Sequence, residues 1–379
     1  MSFVLVSGMI AADPNQGGAA WAVLQYVIGL EQLGHDVLLV EPWKLAEEAA
    51  DAVEDSESAA YFRAVAKAFD IADRAALLVV GTDRTVGLPY DELVARAGAV
   101  DVLLNISGML ADERLTASIP VRAYLDLDPA FNQLWQMQGI DMRFDGHTHF
   151  VTVGQAIGTP QSPIPTCGLD WIATLPPVVL ERWPPGEEVT RDAFTTIGNF
   201  RGYGSVEHEG VHYGQKVHSL RELFPLPRRS DARFELAFAI HPDETRDLEA
   251  LEDNGWELVD PVAVAGTPDQ YREFIRGSLA ELGIAKSGYV LSRSGWFSDR
   301  SACYLASGRP VVAQETGFSR FLPAGEGLLA FTTLDGAVAA IEEVRRDYLR
   351  HSQAARAIAE ERLDSDLVLT SLLERLGVP

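Results

Sequence analysis

The sequence predicts an α/β protein made of two parallel-sheet domains in series, and three observations predict it. Short apolar runs without strict alternation, such as "SFVLVSGM", "HDVLLVEP" and "VDVLLNISG", are separated by helical stretches. That is the pattern of strands covered on both faces of a parallel sheet. The alternation starts afresh at "FTTIGNF", after a Pro/Gly-rich stretch between about residues 155 and 190 that is poor as helix. Finally, the 379 residues, 47% hydrophobic and 23% charged, suffice for two folded domains. The expected boundaries are residues 1–185, residues 186–350 and a helical segment, 351–379.

The elements follow in order. "SFVLVSGM" is a buried strand, "IAADPNQGGA" a loop and "AWAVLQYVIGLEQLG" a helix with apolar residues at 3–4 spacing, stopped by Gly34 before the strand "HDVLLVEP". Looser repeats of this unit run through "ESAAYFRAVAKAFDIADRAALLVV", the strand at 100–108, and "VRAYLDLDP" followed by helical "AFNQLWQM". In the second series, "TPDQYREFIRGSLAELG" reads as one helix with Thr267 as N-cap and Pro268 in its first turn. "SGYVLSR" reads as an apolar strand, and the chain from about 336 to 376 as almost wholly helical.

Charge and cysteine content exclude several classes. With 31 basic and 55 acidic side chains the net charge is −24, which repels nucleic-acid backbone and anionic membrane. Cys167 and Cys303 carry no disulfide or zinc spacing. No apolar run reaches membrane-span length, and the first residues lack a basic secretory region, so a cytoplasmic location without membrane insertion is expected.

In open parallel sheets the ligand lies beyond the carboxyl ends of the strands, where helix N-termini point free N–H groups. Three loops have a suitable composition. The first, Asp13 to Ala19, carries Gly17 and Gly18, which let backbone approach a ligand closely. The second, Ser292 to Ser301, supplies Ser294, Ser298 and Arg300, and Trp296 is placed to stack on a sugar or an aromatic group. The third, Gln314 to Arg320, places Gly317, Phe318 and Ser319 at a helix start. Each loop also reads as an ordinary turn or cap.

"YLASGRPVVAQETGFSRFLPAGEGLLAF" and "GGAAWAVLQYVIGLEQLGHDVLLVEP" resemble the two-domain, nucleotide-sugar-dependent glycosyltransferases of the GT-B class, weakly the retaining ones with a glycine-rich C-terminal phosphate loop. The resemblance implies two Rossmann-like domains facing a central cleft, with a C-terminal helix crossing back. It implies transfer of a sugar from a nucleotide-diphosphate-sugar, a co-substrate with no further cofactor or metal, to a small-molecule or glycan acceptor. The donor would lie in the second domain and the acceptor in the first, and the chain would have room for a homodimer. By the same resemblance Arg201 would join the diphosphate site, while His241, Trp296, Asp299 and Glu315 would lie near donor nucleotide or sugar. Gly17, Gly18, Asp128 and His149 would face the acceptor. The family glutamate that holds the donor ribose falls at Cys303, which cannot accept hydrogen bonds as a carboxylate does. Asp299, one turn earlier on the same helix face, and Glu315 are the two carboxylates open as replacements.

An inverting transfer needs a general base, for which Asp13 is the first candidate and His147 the second. The Gly-His-Thr-His run could also bind zinc, but no third ligand follows at motif spacing. Two other readings stay open: a nucleotide-sugar epimerase, and a non-catalytic sugar-nucleotide-binding protein.

Overall fold

The computed structural model describes residues 1–45 and 53–378. The first half forms an eight-stranded sheet: β1 (Phe3–Ser7), β2 (Asp36–Trp43), β3 (Ala75–Val79), β4 (Thr85–Gly87), β5 (Val102–Ile106), β6 (Val121–Asp126), β7 (His149–Thr152) and β8 (Trp171–Ala173). Their spatial order is β4-β3-β2-β1-β5-β6-β7-β8, and every pairing is parallel except β3–β4. The chain then continues to β9 (Arg191–Asn199), the small hairpin β10 (Val206–His208) and β11 (Val211–Tyr213), and β12 (Phe234–Ala239). It ends its strands with β13 (Glu257–Leu258), β14 (Ser278–Gly283), β15 (Val311–Gln314) and β16 (Leu328–Phe331). These give a wholly parallel six-stranded sheet, β13-β12-β9-β14-β15-β16. Both sheets are doubly wound, and strand order reverses between β1 and β5 in one and between β9 and β14 in the other. Such a switch point opens a crevice at the carboxyl ends of its strands.

The two halves share one apolar core. The first helix, Gly17–Gln32, is buried almost all round, because it lies between its own sheet and the helices of the second half. Its Trp21 donates to the Pro268 carbonyl at 2.8 Å and packs on Trp183 with ring centroids 5.0 Å apart. Buried Gln25 bridges the halves, accepting from Val179 N at 2.8 Å while its amide faces Cys303 Sγ at 3.7 Å.

The end of the chain returns to the first half. After the helices Leu334–Arg346 and Tyr348–Ile358, a π turn at Ala359–Leu363 redirects the chain. Ser365 N then donates to the Val178 carbonyl at 2.9 Å, and the final helix, Ser365–Arg375, packs on the first. A Cβ on Gly29 would lie 2.6 Å from Leu369 Cδ1, so that crossing needs a glycine.

Two local expectations are corrected. The predicted long helix stops at Gly277, and Ser278–Gly283 forms β14 in the middle of the second sheet. Conversely, "SGYVLSR" is not a strand: Ser287–Ser292 is a helical turn ended by Arg293 in the left-handed conformation. The sequence "SLAELG" suits a helix locally, but nearly every residue of it is buried between β9 and β15, and tertiary pairing overrides propensity.

Candidate active site

At the first switch point, the loop from Gly8 to Gln16 leaves β1 and runs past β2. Glu41, fully buried on β2, accepts from Ala11 N at 2.8 Å and Ala12 N at 2.6 Å. Burial pushes its carboxyl up to about 7, against the opposing pull of those backbone N–H groups. The carboxylate thus fixes the loop two residues before Asp13. Asp13 itself is exposed and hydrogen-bonded to the Gln16 amide.

This loop lines two cavities. Met9, Ala12 and Asp13 border a cavity of about 430 Å³ at the ends of β1, β2 and β5. Asn15, Gln16, Gly18 and Ala19 border a second, of about 190 Å³, whose other wall is formed by Gly198, Asn199, Tyr271, Asp299 and Arg300 of the second half. Asp13 therefore faces the first-half pocket, two residues before Asn15 borders the interdomain cleft.

The glycines of that loop have a visible role in packing. A Cβ on Gly17 would lie 2.2 Å from the Thr267 carbonyl oxygen, and one on Gly18 would lie 2.8 Å from the Tyr271 ring. The backbone they admit is that of the second half, which they meet at the cleft rather than in the first-half pocket where an acceptor was expected.

Across the cleft, Arg300 is buried in the first turn of the helix Asp299–Ala306. Its Nε pairs with fully buried Glu281 at 2.6 Å and its Nη1 donates to the Ile197 carbonyl at 2.9 Å. Beside it stands Lys216, which the sequence reading missed. A Cβ on Gly198 would lie 2.7 Å from Lys216 Nζ and 3.9 Å from Arg300 Nη1, so the two cations flank that glycine. Burial, then repulsion from Arg300 and Lys286, holds the Lys216 ammonium well below its ordinary value. The Phe238 ring lies 4.8 Å from the ammonium, which has no ion pair among the described residues. Asp299 opens to the cleft, and the protein crowded around it raises its carboxyl above the usual aspartate value.

Asp128 lies at the same cleft and joins its two sides. Its Oδ1 meets Lys286 Nζ at 2.9 Å and accepts from the hydroxyls of Tyr203 and Tyr289. Burial alone would raise Asp128, but the ammonium of Lys286 and the two hydroxyls outweigh it and hold the carboxyl below its ordinary value. Trp296 stacks on Tyr289, with centroids 4.2 Å apart and planes at 22°.

The remaining candidates are dispersed. His147 has both ring nitrogens engaged, Nδ1 with the Arg143 carbonyl at 2.9 Å and Nε2 with the Asn105 amide at 3.0 Å. Burial lowers its pKa, so it is a neutral packing group against Tyr124 without a free nitrogen for base catalysis. His149 begins β7, at the end of the sheet away from the cleft, and pairs with the Thr148 hydroxyl at 2.9 Å. Arg201 is paired with Glu244, and His241 is exposed beside Asp243. Ser294 is buried with its hydroxyl unpartnered, and Ser298 precedes the Asp299 helix without a side-chain cap bond. Glu315 accepts from Gly317 N at 2.6 Å, Phe318 is buried on Phe297, and Ser319 is exposed. Gly295 N donates to the Thr316 carbonyl at 2.9 Å, so the second and third loops are tied to each other. Cys303 is buried. No group of three His, Cys, Asp or Glu side chains could hold a metal among the described residues. Nor is any helix among them long and apolar enough to cross a membrane.

Lys216 and Lys286 had a signal in the sequence. The chain has only four lysines, Lys44, Lys67, Lys216 and Lys286, and two of them meet at this cleft.

Two doubly wound sheets facing one cleft, closed by a returning C-terminal helix, constitute the GT-B fold. Residues 225–368 match the model of a glycosyl transferase-like family. Among solved structures, an α-glucosyltransferase in complex with UDP is similar at a TM-score of 0.64 and 10% identity, covering 100% of both chains. HepE of Anabaena, in complex with UDP and glucose, is similar at 0.64 and 11%, again over 100% of both. A glycosyltransferase of Rickettsia africae is similar at 0.53 and 11%, over 99% of this chain and 97% of that one. Another structure of the α-glucosyltransferase contains UDP and a 13-mer DNA. No curated protein matches the chain by sequence.

Proposed function

We propose that the chain transfers a sugar from a nucleoside diphosphate-sugar bound at the interdomain cleft to an acceptor in the first-half pocket. The observation that carries this reading is the unpaired Lys216 ammonium beside Arg300, opposite the start of the Gly17–Gln32 helix. Two cations and a helix N-terminus converging on one space favour a diphosphate. The similar structures in complex with UDP support the same donor class.

In this reading the acceptor hydroxyl attacks the anomeric carbon, and the bond from that carbon to the diphosphate oxygen breaks. The departing diphosphate gathers charge that Lys216 and Arg300 stabilise. Asp13, which lines the first-half pocket, takes the hydroxyl proton if the transfer inverts. Asp299 replaces the missing ribose carboxylate at Cys303. In this reading the acceptor domain spans residues 1–185, the donor domain 186–350, and 351–379 is the helical segment. A small-molecule or glycan acceptor suits a chain of net charge −24 better than DNA does.

Calorimetric titration with UDP, GDP, ADP and dTDP tests the donor reading. Saturable binding of one of them is the expected result; none binding to folded protein would reject it. The buried cysteine at position 303 favours a second reading, a protein that binds sugar nucleotides without catalysis. That reading expects diphosphate binding but no consumption of the matching donor sugar with any acceptor supplied.

A further inference from the structure

The first-half pocket has a composition that names its occupant. The chain has five methionines, and Met9, Met109 and Met142 all line this one cavity. They come from the ends of β1 and β5 and from the loop after the helix Phe131–Met137, so only the fold brings them together. None belongs to the buried core, and each is half-exposed toward the cavity. A second cavity, of about 400 Å³, shares Pro42, Val80, Met109 and Arg143 with the first, so the two form one groove. Val80 leaves 45% of its surface exposed there.

The charged groups in the groove are mostly committed to the protein. Arg143 Nη1 donates to the Met109 carbonyl at 3.0 Å, and Arg114 pairs with Asp83. Among the described residues, Lys44 is the basic side chain of the groove that is exposed and without an ion pair, while Asp13 and Asp141 face the same space. Such a groove cannot neutralise a polyanion. It offers thioether sulfurs and apolar carbon, which adapt to and favour aromatic rings, in a volume typical of small-molecule sites.

We infer that the acceptor is a hydroxylated aromatic small molecule, held by the Met9, Met109 and Met142 side chains with its hydroxyl directed to Asp13. The inference rests on the sugar-transfer reading and narrows it from any acceptor to one chemical class.

Calorimetric titration of the full chain with quercetin and with alizarin tests it, alongside titrations with glucose, a 13-base-pair DNA duplex and the nucleoside diphosphate that binds. Met109→Glu and Val80→Trp serve as two independent variants, with circular dichroism to confirm folding. The expected result is saturable binding of at least one aromatic, weakened about tenfold or more in both variants, with nucleotide affinity unchanged. Nucleotide binding without aromatic binding would overturn this proposal alone. Displacement of the aromatic by the duplex or by glucose would also overturn it. Aromatic binding without any nucleotide binding would instead sink the donor reading, and the acceptor role with it.

Discussion

At the scale of single residues, the account turns on Lys216 and Asp13. A charge-assisted hydrogen bond to diphosphate contributes about 1.5–3 kcal/mol. Lys216→Ala should therefore weaken nucleoside diphosphate binding by roughly ten- to a hundredfold. An affinity equal to the parent would remove Lys216 from the donor site. Asp13→Asn should leave nucleotide affinity intact while lowering the transfer rate by about 10²–10⁴-fold, the usual range for a general base. Equal losses in donor affinity and rate would instead assign Asp13 to binding. Some of this was legible beforehand. The loop bearing Asp13 was readable from its glycines and its place after a strand. Arg300 was readable from its loop, but its pairing with Glu281, 19 residues away, was not. His147 shows the converse case, since a Gly-His-Thr-His run gives no sign that Asn105 and the Arg143 carbonyl occupy both nitrogens.

Among elements, the glycine loop is the strongest test of how the halves meet. Gly17→Ala would drive a Cβ into the Thr267 carbonyl, a backbone atom that cannot swing away. Overpacking of this kind costs about 1–3 kcal/mol. The variant should lose that much in chemical denaturation and should also bind nucleotide less tightly, because the cleft wall shifts. Unchanged stability would mean that the loop and the Thr267 turn separate freely in solution. The glycines themselves were conspicuous in the sequence; what they abut was not, since Gly17 and Thr267 are 250 residues apart. The same limit explains the misplaced strand. "SLAELG" and "SGYVLS" have local preferences opposite to their roles, and only the neighbours β9 and β15 decide that the first becomes the central strand. The outer plan was readable because buried parallel strands and covering helices leave distinct patterns in the chain, and the restart at "FTTIGNF" coincides with β9.

For the whole molecule, Asp128 and Lys286 form the charged tie between the halves. Asp128 titrates below its ordinary 3.8, so its contribution is complete above that value and disappears as the pH falls through the lower folded one. Lys286 is lowered from 10.5, chiefly by burial, so the closed protein gives up that proton more readily than a solvated lysine does, and a rise in pH through this window does not favour opening. Small-angle scattering should therefore show constant dimensions between about pH 5 and 7 and an expansion in acid, as the pH falls through the lowered Asp128 value. Asp128→Asn should remove that acid step and cost about 2 kcal/mol of stability. An identical acid expansion in the variant would detach the pair from domain closure.

The central claim is that the interdomain cleft holds a nucleoside diphosphate between the two halves. A crystal structure of the chain with the tightest-binding of UDP, GDP, ADP and dTDP tests it most directly. The account predicts phosphate oxygens within hydrogen-bonding distance of Lys216 Nζ, next to Gly198 and facing the start of the Gly17–Gln32 helix. A nucleotide seated elsewhere, with Lys216 still unpaired, would contradict it.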